Sequence, residues 1–142
     1  MKINIKKLSE TAMIPTRGSE YAAGYDLYAD ENIYIDSGQV EKIHTNIAFE
    51  IPSGYFGAIY ARSGLATKHG LRPSNCVGIV DEDYRGNVIV PLYNDSSFAR
   101  IIEKGERIAQ LIIQPYLSVE FAEVEELSCT ERGTGGFGSS GK

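Results

Sequence analysis

The sequence predicts an all-β protein of one domain, a sandwich or barrel, with one short helix and a C-terminal arm. Three observations support this fold class. Short runs rich in β-branched and aromatic residues recur along the chain. Turn signals, namely "DSG", "PSG", "YRGN", "NDSS" and "EKGE", divide these runs at regular intervals. Many short strands between turn residues are typical of sandwiches and barrels.

The predicted strands follow one another along the middle of the chain. In "VEKIHTNIAFEI" the apolar residues alternate with polar ones, so Ile43, Ile47, Phe49 and Ile51 share one face of a β segment. The other face carries Lys42, His44, Asn46 and Glu50. Further strands are predicted for the apolar runs "YFGAIYA", "CVGIV", "NVIVPLY" and "IAQLIIQPY".

One stretch, "RSGLATKHG", predicts a helix instead of a strand. Ser63 is a suitable N-cap, because a serine hydroxyl accepts a hydrogen bond from the first free backbone N–H groups. Gly70 is a suitable stop, because glycine adopts the left-handed conformation that ends helices. The interval between them accommodates two helical turns.

The chain divides into a core of residues 1–127 and a flexible Gly-rich arm of residues 128–142. The last twelve residues, "ERGTGGFGSSGK", contain the spacings GxGxxG and GxxxxGK. Both phosphate-binding motifs need a helix after the loop, and here no residues follow to build one. We therefore reject both motifs and expect an arm whose arginine, hydroxyls and glycine N–H groups contact an anion.

Composition limits the classes of function. The net charge of −5 argues against general nucleic-acid binding, so phosphates would have to be bound by local arginines or a metal. No apolar run is long enough to span a membrane. Two cysteines, Cys76 and Cys129, are too few for a disulfide framework and fit a reducing intracellular compartment such as the cytoplasm. We expect Cys76 to be a buried thiol.

Three short polar segments interrupt the apolar pattern of the predicted strands. The first is "AAGYDLYA", with Asp26 between apolar neighbours. The second is "ARSGLA", where Arg62 and Ser63 begin the predicted helix and could bind phosphate, although Ser63 could also serve only as a cap. The third is "SNCVGIVDEDYRG", where Asp81 ends an apolar strand. A carboxylate there is placed to act as a base, while the simpler interpretation is a solvated turn.

Two further motifs follow these three polar segments in the sequence. "AAGYDLYA", "ARSGLA", "NCVGIVDEDYRGNVIVPLYN", "GERIAQLII" and "RGTGGFGSSG" together resemble the five motifs of the homotrimeric dUTPases, over residues 22 to 141. The resemblance implies a jelly-roll-like β-sandwich that forms homotrimers with shared active sites. It implies Mg²⁺-dependent hydrolysis of dUTP to dUMP and pyrophosphate, which limits uracil incorporation into DNA and supplies dUMP for dTMP synthesis.

The resemblance also implies roles for individual residues. Asp81 matches the aspartate that orients the attacking water, Tyr84 the tyrosine beneath the deoxyribose, and Asn75 a uracil contact. Asp26 matches an aspartate near the water shell of the metal. The matches to phosphate-contacting and uracil-stacking residues, which complete the substrate site, are Arg62, Ser63, Gly64, Gln110, Arg132, Phe137, Gly138, Ser139 and Ser140.

Two alternative functions stay open at this point. The first is dCTP deamination, which a related branch of the same superfold performs with a glutamate in the strand after the third motif. Pro91 stands where that glutamate would align, and proline has no group that transfers a proton. The second is a trimeric module that binds a partner protein, with the nucleotide as a regulator. An intact Asp81 and arm argue against a purely binding role.

Overall fold

The structure is a computed structural model that describes residues 1–136. These residues form twelve strands and one helix, α1 (Ser63–His69). The strands are β1 (Asn4–Lys7), β2 (Thr16–Arg17), β3 (Tyr25–Tyr28), β4 (Ile33–Ile35), β5 (Val40–His44), β6 (Ile47–Glu50), β7 (Tyr55–Tyr60), β8 (Leu71–Pro73), β9 (Gly78–Val80), β10 (Ile89–Asn94), β11 (Arg100–Ile102) and β12 (Arg107–Pro115). In this part of the chain no helix has the length and apolar character of a membrane span.

The strands assemble into antiparallel sheets around one hydrophobic core. The largest sheet has the order β2-β3-β12-β7-β9, a second has the order β5-β10-β8, and β1–β6 and β4–β11 form separate pairs. The fully buried apolar side chains of the core include Leu27, Ile35, Ile43, Ile47, Val90, Leu92, Ile102 and Ile108. The predicted all-β class with one short helix is confirmed.

The segment from residue 40 to residue 51 has the predicted buried face but is not one strand. Ile43, Ile47, Phe49 and Ile51 are all buried. Between β5 and β6, Asn46 has a φ of 51°, a left-handed conformation that asparagine tolerates better than most residues. The chain therefore changes sheets here, because β5 pairs with β10 and β6 pairs with β1.

The helix ends as predicted but begins differently. Gly70 has a φ of 67° and donates its N–H to the Leu65 carbonyl, which confirms the predicted stop. The predicted N-cap at Ser63 is wrong, because Arg62 keeps the extended backbone that follows β7 and its carbonyl accepts the Ala66 N–H at 2.9 Å. Ser63 is thus the first helical residue, and its side chain is exposed.

A buried carboxylate joins four segments on one side of the core. Asp30 accepts hydrogen bonds from the Ser9 hydroxyl and from Asn46 Nδ2 (2.8 Å) on Oδ2, while Oδ1 forms an ion pair with Lys104 Nζ at 3.1 Å. Burial opposes ionisation of Asp30, but hydrogen bonds from Ser9, Asn46, Thr11 and Lys104 outweigh it and hold the pKa well below its ordinary value. The ionised form therefore stabilises the fold at neutral pH.

We predict that Asp30→Asn lowers the free energy of unfolding at pH 7 by about 1–3 kcal/mol, because the amide is a weaker acceptor for the surrounding donors than the carboxylate. Denaturant unfolding at fixed protein concentration measures this. Because the pKa of Asp30 is depressed, the wild-type advantage should shrink as the pH falls below 3.8, the ordinary pKa of the carboxyl group. Asp95→Asn is the control, since its ion pair with Arg72 is exposed and should matter by less than about 0.5 kcal/mol. A wild-type advantage that stays constant with pH would contradict the role of the ionised carboxylate.

Candidate active site

The central strand of the large sheet gathers three of the predicted site residues. On β12, Gln110 lies opposite Asp26 of β3 on one side and opposite Tyr60 of β7 on the other. Arg62 follows two residues after Tyr60, where β7 runs into the helix. The strand register therefore places Asp26, Arg62 and Gln110 in one region, although they are far apart in the sequence.

Two arginines converge on Asp26 in this region. Arg62 Nε lies 2.9 Å from Asp26 Oδ1, and Arg107 Nη1 lies 3.4 Å from Oδ2. Arg62 Nη1 also donates to the Arg107 carbonyl at 3.0 Å. Asp26, Arg62, Arg107 and Gln110 are called the arginine group below. It contains two cations and one anion, and its positive excess suits a phosphate ligand.

The neighbouring contacts fix Gln110 and leave the start of the helix open. Gln110 Nε2 donates to the Ala61 carbonyl at 2.8 Å, and a side chain at Gly24 would collide with the Gln110 amide oxygen. Ser63 and Gly64 are exposed, and a Cβ at Gly64 would meet no atom within 4 Å. Of the predicted phosphate contacts, Ser63 is thus accessible, while Arg62 and Gln110 are half-buried on the sheet.

A second group lies in the segment of residues 75–87, called the 75–87 segment below. Asn75 and Tyr84 line one cavity of about 150 Å³ beside β9 and β10. The Tyr84 hydroxyl donates to the Asn87 carbonyl at 3.0 Å, which fixes the ring. A Cβ at Gly86 would stand 2.5 Å from the Tyr84 hydroxyl oxygen, so the ring position requires glycine there.

Asp81 follows directly after β9 and is exposed. Within residues 1–136 its carboxylate accepts no hydrogen bond from the protein, so its oxygens can bind water. It lines a second, larger cavity of about 570 Å³. The other residues around this cavity are Phe56, Ile79, Glu82, Asp83 and Tyr116.

The chain beyond β12 contains no strand as far as residue 136. Arg132 Nε donates to the Gly135 carbonyl at 2.8 Å, and Gly133 has a φ of 52°. The segment of residues 117–127 is exposed and carries the apolar residues Leu117, Val119, Phe121, Val124 and Leu127. The predicted contacts Phe137, Gly138, Ser139 and Ser140 lie outside the described residues.

Polar contacts do not link the three groups within the described residues. Among residues 1–136, no hydrogen bond or ion pair joins the arginine group, the 75–87 segment and Arg132.

Sequence reasoning missed Arg107 and misjudged Cys76. Arg107 stands in the motif "GERIAQLII", but only its pairing with Asp26 across β3 and β12 shows that it belongs to the site. The prediction of a buried thiol at Cys76 is wrong, because β9 begins only at Gly78 and the preceding turn is exposed. Cys129 is exposed as well, and both cysteines are free.

Comparisons with known proteins agree on one family. A family model described as dUTPase matches residues 10–141. A deoxyuridine 5'-triphosphate nucleotidohydrolase from Nautilia profundicola is 51% identical over the full length of both chains. The dUTPase of Staphylococcus bacteriophage 80alpha, solved with dUPNHPP, is 34% identical with a TM-score of 0.92 over 99% of both chains.

A third relative carries a metal. A mutant of the dUTPase from phage phi11 of S. aureus, whose structure shows the coordination of a structural Mg(II) ion, is 26% identical with a TM-score of 0.84 over 91% of this chain and all of its own. These matches confirm the predicted dUTPase-like sandwich. The chain belongs to the dUTPase family.

Proposed function

We propose that this hydrolase of the dUTPase family converts dUTP and water to dUMP and pyrophosphate, and that it uses Mg²⁺. One observation carries the proposal: among residues 1–136 the carboxylate of Asp81 has no hydrogen-bonding partner, and Asp81 directly follows the strand that borders the small cavity of Asn75 and Tyr84. The cellular role would be to limit uracil incorporation into DNA and to supply dUMP for dTMP synthesis. The free cysteines fit action in a reducing compartment such as the cytoplasm.

The 75–87 segment would select the nucleoside. Asn75 is a donor and acceptor that suits the hydrogen-bonding edge of uracil. The Tyr84 ring, held by Asn87 and by the absence of a side chain at Gly86, would lie against the deoxyribose. A rigid wall there leaves no room for a 2′-hydroxyl. A cavity of about 150 Å³ also limits what can be added to the base.

The arginine group would bind the phosphates. Arg62 and Arg107 provide the positive charge, and Gln110, Ser63 and Gly64 add uncharged donors. The arm would close the site, with Arg132, Ser139 and Ser140 on the γ-phosphate. The ring of Phe137 would cover the uracil, and Gly138 is the next residue of the arm. Closure of such a segment excludes water that would otherwise compete for the phosphates.

Asp81 would supply the chemistry. Phosphoryl transfer depends on positioning and charge neutralisation more than on covalent help from the protein. The Asp81 carboxylate would accept a hydrogen bond from one water, aim its oxygen at the α-phosphorus and take up its proton. Holding a nucleophile in line can contribute roughly 7–11 kcal/mol of the barrier at best.

The possible metal-binding side chains of the described residues fit a metal ion that arrives bound to the substrate. Among the described residues, no three His, Cys, Asp or Glu side chains are arranged to hold a metal ion. Both oxygens of Asp26 are engaged by arginines, so this carboxylate would reach a metal through water. Mg²⁺ commonly keeps several waters and binds through substrate phosphates, where it neutralises charge.

The site would be completed by assembly into a homotrimer. Within residues 1–136 no hydrogen bond or ion pair joins the arginine group, the 75–87 segment and Arg132, although the proposed reaction would need all three. The exposed apolar residues of the 117–127 segment would be covered by a neighbouring copy, because a solvated apolar segment of this length is unfavourable. We propose that each site takes Asp81 from one copy, the arginine group from a second and the arm from a third.

The two alternative functions are less well supported. Pro91 lies within β10, opposite Lys42, and lines the cavity of Asn75 and Tyr84. No glutamate therefore stands at this position to assist deamination. A partner-binding role would not require the converging arginines or a carboxylate at Asp81 that accepts no hydrogen bond from the described residues. Neither nucleic acid nor membrane is a proposed partner.

We predict that, with Mg²⁺ present, the protein releases pyrophosphate from dUTP but not from the other dNTPs, and no ammonia from dCTP. The Asp81→Asn variant should lose turnover by at least about 100-fold, because the amide cannot take up the proton of the water. Its affinity for dUTP should stay within about ten-fold, since Asp81 does not bind the phosphates. Ammonia from dCTP would support the deaminase, absence of both products would favour the binding module, and a fully active Asp81→Asn would refute the role of Asp81.

We predict that Tyr84→Ala lowers the preference for dUTP over UTP by about 10- to 100-fold, because the wall against the 2′-hydroxyl is removed. The ratio of kcat/KM values for the two nucleotides is the measurement. Tyr84→Phe is the matched control: it keeps the ring, loses only the hydrogen bond to Asn87, and should keep most of the preference. An unchanged ratio in Tyr84→Ala would show that another residue excludes ribose.

A further inference from the structure

The residue after Asp81 makes contacts that the proposed chemistry does not use. Glu82 Oε2 accepts the backbone N–H of Gly54 at 2.6 Å, and Oε1 accepts the Ser53 hydroxyl at 3.1 Å. Gly54 has a φ of 82° in the turn before β7, so a tight turn presents its N–H to the carboxylate. The side chain of Glu82 thus ties the end of β9 to the start of β7.

A third segment reaches the same carboxylate. Tyr116 follows directly after β12 and donates its N–H to the Gly54 carbonyl at 3.1 Å. The pKa of Glu82 is lowered, mainly by the hydrogen bond from the Gly54 N–H and next by the Tyr116 hydroxyl. The contact between the Tyr116 hydroxyl and Glu82 raises the pKa of Tyr116. The Tyr116 ring also meets Phe56 edge to face, with ring centroids 6.5 Å apart. Glu82 is therefore ionised and held from two sides.

The backbone around Asp81 is fixed as well. The Tyr84 N–H donates to the Asp81 carbonyl at 3.2 Å, and Arg85 Nη1 donates to the Glu82 carbonyl at 2.5 Å. The Asp81 carboxylate, in contrast, has no hydrogen-bonding partner among the described residues. Its position depends on the backbone to which it is attached, and Glu82 anchors that backbone to the sheet.

We infer that Glu82 is a positioning residue for the proposed reaction: its contacts with Ser53, Gly54 and Tyr116 hold the turn that aims Asp81. The inference rests on the proposed function. It concerns turnover, not substrate affinity, because Glu82 lines the cavity of Asp81 but not the cavity of Asn75 and Tyr84. Displacement of a reacting group by about 1 Å can cost about 100-fold in rate.

The test compares steady-state kinetics of dUTP hydrolysis for four variants. Glu82→Ala removes the anchor and should lower kcat about 10- to 100-fold, with KM within about two-fold of wild type. Glu82→Gln keeps one acceptor oxygen and should lower kcat less. Tyr116→Phe removes the hydroxyl that helps to lower the pKa of Glu82 and should lower kcat by a few-fold. Asp36→Asn is the control, because it removes an exposed carboxylate charge outside the candidate site and should leave kcat within about two-fold.

Binding of a non-hydrolysable imido analogue of dUTP gives the concentration of competent sites in each preparation. A kcat per competent site that falls at unchanged analogue affinity supports the inference. A value equal to wild type in Glu82→Ala overturns it, as does a loss explained entirely by fewer competent sites. Equal losses in Asp36→Asn and Glu82→Gln also overturn it, because loss of any surface charge would then be the cause. Wild-type turnover of dUTP is measured first, so failure of the proposed function is recognised separately.

Discussion

The pairing of β12 between β3 and β7 is the constraint on which the candidate site depends. Because Gln110 stands opposite both Asp26 and Tyr60, one register brings the arginine group together. A slip by one residue would turn Gln110 to the other face of the sheet and separate it from Arg62. The same strand ends beside Tyr116, which contacts Glu82, so it also supports the turn that carries Asp81.

The candidate site combines anchored side chains with the segment that leads into the arm. Asp26, Arg62 and Arg107 are held by ion pairs on the sheet, and Tyr84 is held by its own turn. Rigid hydrogen-bond donors that already point at the ligand stabilise its charge without having to move during the reaction. Such preorganised donors provide a large part of the electrostatic stabilisation in enzymes. The arm has no comparable anchor among the described residues. Closure of the arm over the bound nucleotide would therefore be the step that commits the substrate to hydrolysis.

The sequence was sufficient for the β class, the apolar face around Ile43, the stop at Gly70 and the family. It failed where distant segments decide the outcome. The break at Asn46 follows from pairing with two different sheets, and the cap at Arg62 follows from a strand that runs into the helix. Local patterns cannot show such pairing, so Arg107 and Glu82 were found only in the structure. The roles of individual site residues stay predictions.

Assembly of each site from three copies is the central claim, and subunit mixing tests it most directly. A chain ending at Cys129 lacks the arm, and an Asp81→Asn chain lacks the base, so each alone should be nearly inactive. After the two are unfolded and refolded together in equal amounts, about one site in four should pair an intact Asp81 with an intact arm, because the chains mix at random. We expect about a quarter of wild-type activity on dUTP. A mixture no more active than its parents would show that Asp81 and the arm of each site come from the same chain, and would contradict assembly from three copies.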